Sequence, residues 1–174
     1  MKTLGIVLAR GGSQGLPGKH LLPLAGKAVV RHTIELAGRT DALDRAVLST
    51  DDERIGAEAR GTRVEFLPRP AELATSTAPV QGAMRHAVRA IHGRDDWRPD
   101  RVALLYGNVP VRPRGIVERG LALAEKTGAD TILSLSEVGK MHPLWMHMLD
   151  GDRIRPYQEG VGAAGTCRAT GNEG

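Results

Sequence analysis

The sequence predicts an α/β domain with a mainly parallel sheet and flanking helices. Two patterns carry this. Short apolar, β-branched runs recur along the chain, and between them apolar residues recur at three- and four-residue steps, the period of a helix. Strands that alternate with helices build βαβ units, which lay the strands parallel and the helices on the sheet faces. A third observation sets the scale: 174 residues suffice for one domain with its own core.

The elements follow in order. "TLGIVLA" (3–9) reads as a buried first strand. A helix with fainter periodicity follows over 28–37. "AVLSTD" (46–51) is the next strand, with a second faint helix over 52–60. "RVEFL" (63–67) is a third strand. Over 80–92, Val80, Ala83, Met84, Ala87, Val88 and Ile91 form one apolar stripe, so a helix is expected there. "RVALLY" (101–106) is a fourth strand. Ile116, Val117, Leu121, Leu123 and Ala124 mark another helix, closed near Gly128. "DTILSLS" (130–136) reads as a fifth strand. The segment "GVGAAGTCRATGNEG" (160–174) has no period and is rich in Gly, Ala and Thr, as a disordered or aberrant tail would be. The expected organisation is therefore one domain over 1–159 and a tail over 160–174.

Composition narrows the function. Aromatics make up only 3% of the residues, so the core is aliphatic and the composition argues against base stacking on aromatic platforms; no nucleic-acid partner is expected. Net charge is +4, which suits an anionic ligand and equally a solvated Arg-rich surface. Cys167 is the only cysteine, so no intrachain disulfide forms and a reducing compartment is permitted. No run approaches the ~18 apolar residues of a membrane span. The apolar run before Arg10 is too short for a signal sequence, and the cytoplasm is the expected location. His142 and His147 flank "PLWM" in a Pro-containing stretch and read as structural rather than as zinc ligands.

The chemistry concentrates in "ARGGSQGLPGKH" (9–20), directly after the first strand. Glycines let backbone N–H groups approach phosphate oxygens. Arg10 offers a fork of donors and Lys19 a mobile point charge. Neither standard phosphate pattern fits. Five residues separate Gly12 from Gly18 where the P-loop has four, His20 stands after Lys19 where it has Ser or Thr, and no G-x-G-x-x-G can be drawn within 9–20. This stretch alone admits a phosphate cradle or a Gly-rich surface turn.

Longer motifs decide between them. "LARGGSQGLPGKHLLPLAGKAVVRHTIELA" resembles the opening of the acylneuraminate (CMP-sialic acid) cytidylyltransferase family, whose form is close to A-R-x-G-S-K-G-[IL]-P-x-K-N. "AVLSTDDERIGAEA" is similar to its second strand and helix, "FLPRPAELATSTAP" to its Arg-Pro-Ala-Glu-Leu-Ala segment, and "HPLWM" to its later His-Pro element. The resemblance covers about residues 3–157. It implies a Rossmann-like nucleotidyltransferase (nucleotide-diphospho-sugar transferase) fold. The implied reaction joins CTP to an acidic sugar, giving a CMP-sugar and pyrophosphate with the help of Mg2+. A homodimer is implied for a full-length chain.

The resemblance also assigns residues. Arg10 and Lys19 are expected on the triphosphate and carry the catalysis. Leu8, Ala9, Gly11, Gly12 and Ser13 supply the nucleotide-binding loop. Arg69 is implied near the cytosine and ribose, with Ser76 and Thr77 lining the same pocket. His20, Asp51, Tyr106, Asn108 and Arg112 are candidates for the substrate pocket. Asp51 has a second reading as the N-cap of helix 52–60.

Four departures from the family pattern stand out. Gln14 replaces a loop lysine and His20 an asparagine. "LLYGNVPVR" (104–112) stands where sialate enzymes carry Leu-Gln-Pro-Thr-Ser-Pro-Leu-Arg. Gly107-Asn108-Val109-Pro110 is closer to the Gly-Asp-Glu-Pro element of the 3-deoxy-manno-octulosonate cytidylyltransferases, with the neutral Asn108 in the metal ligand's place. A sugar other than N-acetylneuraminate is therefore expected. The fourth departure is the absence of the family's later Arg-Arg-Gln-Asp-Leu-Pro stretch and metal carboxylates. Synonymous codons chosen for residues 163–168, read one base earlier than the next codon, encode Arg-Arg-Asp-Leu-Pro, so a shifted frame and a real tail are both readings of this segment. The competing expectations are a truncated, catalytically weak nucleotide-binding domain and, less in keeping with the Arg69 segment, a guanylyl- or uridylyltransferase.

Overall fold

The computed structural model describes residues 1–12, 15–137, 146–151 and 153–157. Two compact units divide the chain, Met1–Ile132 and Leu133–Gly174. In the first, β1 (Thr3–Leu8) is followed by a two-residue hairpin, β2 (Pro23–Leu24) and β3 (Lys27–Ala28), and by α1 (Val29–Arg39). Then come β4 (Arg45–Thr50), α2 (Glu53–Ala57), β5 (Val64–Pro68), a 3-10 turn (Ala71–Leu73), α3 (Val80–Asp95), β6 (Arg101–Tyr106) and α4 (Ile116–Thr127).

The main sheet has the order β5-β4-β1-β6, and every neighbouring pair is parallel. The chain steps outward from β1 to β4 to β5, then returns through α3 to β6 on the other side of β1. The order reverses between β1 and β6, and in open sheets ligands bind at such a switch point, outside the carboxyl ends of the strands.

All six residues of β1 are buried, because helices cover both faces. Its side chains alternate. Leu4, Ile6 and Leu8 join Val47 against Ala83, Ala87 and Ile91 of α3. Val7 joins Leu48 and Leu105 against Val30, Ile34 and Ala37 of α1, with Ile55 and Val117 from α2 and α4. Helix α3 is longer than its apolar stripe requires and ends on Asp96 in the left-handed region (φ 49°). Helix α4 closes at Gly128, as the sequence predicts.

Three expectations need correction. The helix expected over 52–60 is helical only over Glu53–Ala57, and its N-cap is Asp52, whose carboxylate accepts the Arg54 N–H at 2.9 Å. Asp51 is therefore free of the capping role. The run expected as a strand over 130–136 is irregular, with Leu133 and Leu135 73% and 89% exposed. β-propensity reflects fit to a paired, half-buried surface, and among the described residues this run has no ladder partner. The hairpin β2–β3 went unpredicted. Its loop residues Ala25 and Gly26 both have positive φ (48° and 80°), the signature of a type I′ turn, but Ala-Gly is not the usual Asn-Gly cue.

The second unit contains an antiparallel hairpin, β7 (His147–Asp150) and β8 (Arg153–Pro156). His147 lies on β7; His142 and the segment 160–174 lie outside the described residues. Among the described residues, no helix is long and apolar enough to cross a membrane.

The two faces of the sheet should contribute alike. Ile34→Ala and Ile91→Ala each leave a cavity under a fully buried side chain. Each is expected to cost about 2–5 kcal/mol, read from the midpoint of urea unfolding.

Candidate functional site

Arg10, His20, Asp51 and Arg69 are tied together by hydrogen bonds to the segments that leave the carboxyl ends of β1, β4 and β5. Their scaffold is Arg69, which follows β5 directly. Its buried guanidinium donates from Nε to Ser49 Oγ (3.1 Å) and from Nη2 to the carbonyls of Ala9 (3.1 Å) and Ser49. Its own N–H donates to Thr50 O at 2.8 Å. One side chain thus gathers the ends of β1, β4 and β5. Burial, and less strongly the Arg10 charge, lower its pKa, while Asp51 raises it; guanidinium stays protonated throughout the working range. Ser49 is completely buried.

The loop after β1 is pinned on three sides. Arg10 donates from Nη1 to Thr75 O (2.8 Å), bridging to the segment that carries the exposed Ser76 and Thr77. The Gly11 N–H donates to Asp51 Oδ1 at 3.0 Å. His20 is 4% exposed, and its Nδ1 lies 3.1 Å from Arg10 O. A carbonyl can only accept, so Nδ1 carries the proton. Burial first, then the Lys19, Arg69 and Arg10 charges, hold the imidazole below its ordinary pKa; the bond to Arg10 O opposes them. Lys19 is half-buried and Gly12 exposed. Ser13 and Gln14 lie outside the described residues.

Leu8 and Ala9 are buried, and their backbone groups are already engaged. Leu8 O accepts from Gly107 N (2.8 Å), Ala9 N donates to Ser49 O (3.2 Å), and Ala9 O receives Arg69. A second loop at the same rim follows β6 and is tied to β1 through Gly107 N. A Cβ on Gly107 would meet Leu8 O, Ala9 Cβ and Val30 Cγ2, all at 3.1 Å, so a side chain there would crowd β1 and α1. Tyr106 and Asn108 are exposed. Arg112 turns inward, donating from Nη2 to Tyr106 O (2.7 Å) and from Nη1 to Thr33 Oγ1 (2.9 Å).

Among the described residues, those singled out do not assemble into a carboxylate site for Mg2+. Asn108 offers a neutral amide oxygen. Asp51 accepts from Gly11, and Asp52 caps α2 and pairs with Arg54 at 2.7 Å. Among the described residues, no group of three His, Cys, Asp or Glu side chains is placed to hold a metal ion. A hard divalent cation prefers carboxylate oxygens, so this donor set does not fit it.

Two contributors escaped the sequence reading. Thr33 and Ser49 both carry hydroxyls where an apolar side chain is expected, Thr33 on the Val30–Ile34–Ala37 stripe and Ser49 inside a buried strand. A polar residue on a core position was the available signal. What the rim offers chemically is backbone N–H groups beside Arg10 and Lys19, an arrangement suited to a polyanion.

Residues 4–118 match the family model described as cytidylyltransferase. This chain belongs to the cytidylyltransferase family. Among the curated relatives of this cytidylyltransferase-family chain, the N-acylneuraminate cytidylyltransferase of Escherichia coli O18:K1:H7 (strain RS218 / NMEC) is 38% identical over 87 residues, covering 50% of this chain and 21% of the relative. The CMP-N,N'-diacetyllegionaminic acid synthase of Legionella pneumophila subsp. pneumophila is 31% identical over 160 residues, 90% of this chain and 67% of the relative. A solved CMP:2-keto-3-deoxy-manno-octonic acid synthetase complexed with CTP superposes with a TM-score of 0.57 at 26% identity, covering 74% of this chain and 49% of that one. The fold is the nucleotidyltransferase α/β fold. The chain spans about a fifth to two thirds of the length of these two curated relatives, and about half of the solved synthetase.

Two outcomes follow from this geometry. Arg69→Lys removes the fork that reaches Ala9 and Ser49 together. It is expected to lower stability by roughly 1.5–3 kcal/mol for each bond lost, measured by urea unfolding. His20 is neutral in the fold, so the unfolded chain takes up a proton first. Its contribution is complete above the ordinary value of 6.5 and declines as pH falls through the lowered folded value. The stability difference between neutral pH and about pH 5 should therefore be smaller in His20→Asn than in the parent protein, whose imidazole alone carries this term.

Proposed function

We propose that this domain transfers a cytidylyl group from CTP to an acidic sugar and releases pyrophosphate. The observation that supports the reading is the junction of Arg10, Lys19 and the Gly11–Gly12 backbone at the switch point between β1 and β6. It occurs in a chain whose residues 4–118 match the cytidylyltransferase model.

The sugar hydroxyl oxygen attacks the α-phosphorus of CTP in line. The new P–O bond forms as the bond to the β-phosphate oxygen breaks. Pyrophosphate leaves with the electron pair, and the hydroxyl proton passes to solvent. Little covalent work falls to the protein, and its contribution is orientation and charge neutralisation. Arg10 and Lys19 take the triphosphate oxygens, with Gly12 and Ser13 supplying loop donors. Ser76 and Thr77 line the nucleotide side. Arg69 acts from beneath, holding the backbone that carries Arg10. Asp51 orients Gly11. Tyr106 and Asn108 face the sugar.

The sugar class follows the relatives, which are named for N-acylneuraminate, N,N'-diacetyllegionaminic acid, 3-deoxy-manno-octulosonate and pseudaminic acid. Within that class we favour a sugar other than N-acetylneuraminate, because residues 104–112 depart from the sialate pattern. Turnover of N-acetylneuraminate as fast as any other acid in a panel would overturn this choice.

Pyrophosphate release from CTP, assayed over that panel with divalent metal supplied, tests the reading. Lys19→Ala is expected to lower kcat/KM for CTP by about 100-fold with an unchanged melting temperature. An unchanged kcat/KM would make the loop a mere turn. CTP at ~100 times its Kd should stabilise the fold by about 2.7 kcal/mol, more than GTP or UTP at the same concentration. Such stabilisation without pyrophosphate release would leave a nucleotide-binding domain and remove the transferase.

A further inference from the structure

The loop after β6 is held from behind by a brace that reaches across from α1. Thr33 is completely buried on the inner face of α1. A helical threonine ordinarily turns its hydroxyl back to its own helix. Here Oγ1 donates to Val109 O at 3.1 Å and accepts from Arg112 Nη1 at 2.9 Å. Arg112 also donates from Nη1 to Val109 O and from Nη2 to Tyr106 O. No carboxylate pairs with Arg112 among the described residues, and burial lowers its pKa. Among the described residues, the hydrogen bonds of this guanidinium go to the loop itself and to the threonine beneath it.

The brace acts where the ladder has run out. β6 ends at Tyr106, and the carbonyls of Tyr106 and Val109 have no strand to accept from. A guanidinium fork that reaches two carbonyls at once fixes the turn between them. The Val109 N–H closes that turn onto Tyr106 O at 3.2 Å, and Gly107 N ties it to β1. Asn108, at its apex, is left exposed at the crevice opposite the β1 loop.

We infer that Thr33 and Arg112 are positioning residues for the Gly107–Val109 turn, and that this turn is the wall of the crevice that meets the acidic sugar. The first part stands on the hydrogen bonds alone. The second rests on the proposed function. Arg112 therefore acts through the backbone of the turn rather than by touching the sugar.

Thr33→Val removes the hydroxyl at nearly constant shape, and Thr33→Ser keeps it. Hydrogen exchange of the Gly107 and Val109 amides is expected to quicken on the order of tenfold in Thr33→Val, with β1 and β4 amides unchanged. KM for the acidic sugar should rise by about tenfold while KM for CTP holds. Thr33→Ser should restore both, and Arg112→Lys should behave as Thr33→Val. Exchange that quickens uniformly across the sheet, or not at all in the turn, overturns the brace. Equal shifts in both KM values overturn the assignment of the turn to the sugar. A parent protein that releases no pyrophosphate with any acidic sugar defeats the proposed function, and the exchange experiment still decides the brace.

Discussion

The guanidinium of Arg69 is the constraint on which the rim of this sheet depends. Parallel strands end with carbonyls that the ladder no longer serves, and three such ends lie side by side where β1, β4 and β5 stop. Arg69 reaches the ends of two of those strands through Ala9 O, Ser49 O and Ser49 Oγ, and directly follows the third. Burying a charge is unfavourable unless its donors are used, and here they are used on groups that would themselves be costly to leave unpaired. Ala9 and Ser49 are buried with it. Arg10, next to Ala9, and Asp51, two residues beyond Ser49, leave the same knot.

From that base the charges arrange themselves around one opening. Arg10 is tied through its side chain to Thr75 and through its carbonyl to His20. Lys19 is next to His20 in the chain, and burial first, then the surrounding cations, hold the imidazole below its ordinary pKa. A neutral, buried histidine works as a strut and leaves the positive charge to Arg10 and Lys19. Asp51 counters part of that charge while it holds the Gly11 N–H. On the far wall, Arg112 and Thr33 hold the turn after β6 by the same means, cation or hydroxyl to carbonyl. Both walls are thus built from side chains that fix backbone, and the groups left at the surface are few. That economy suits a reaction in which orientation and charge neutralisation carry the chemistry.

Much of the frame was legible in the sequence. The β1, β4, β5 and β6 runs are apolar and β-branched, and the stripes of α3 and α4 repeat at helical spacing, so local pattern and buried face agree. The loop motif from Arg10 to Lys19 and the Arg69 segment identified the family, because long motifs preserve residue types at set distances along the chain. The run 130–136 misled for the same reason: its propensity is that of a strand, but a strand needs a partner. The Ala25–Gly26 turn escaped because its positive φ values do not follow from an alanine.

The sequence by itself determined the strand and helix alternation, the parallel sheet and the family, since each depends on periodicity and on motifs contiguous in the chain. Only the tertiary structure decided what individual side chains do. Arg69 looks like a ligand residue in its motif and is a buried staple in the fold. Arg112 looks like part of a pocket and is a brace. Asp51 and Asp52 are adjacent, yet one holds a glycine amide and the other caps a helix. Thr33 and Arg112 are 79 residues apart, and no spacing rule could pair them. The reason is physical: a hydrogen bond is set by distance and direction in space, and those exist only once α1 and β6 have packed.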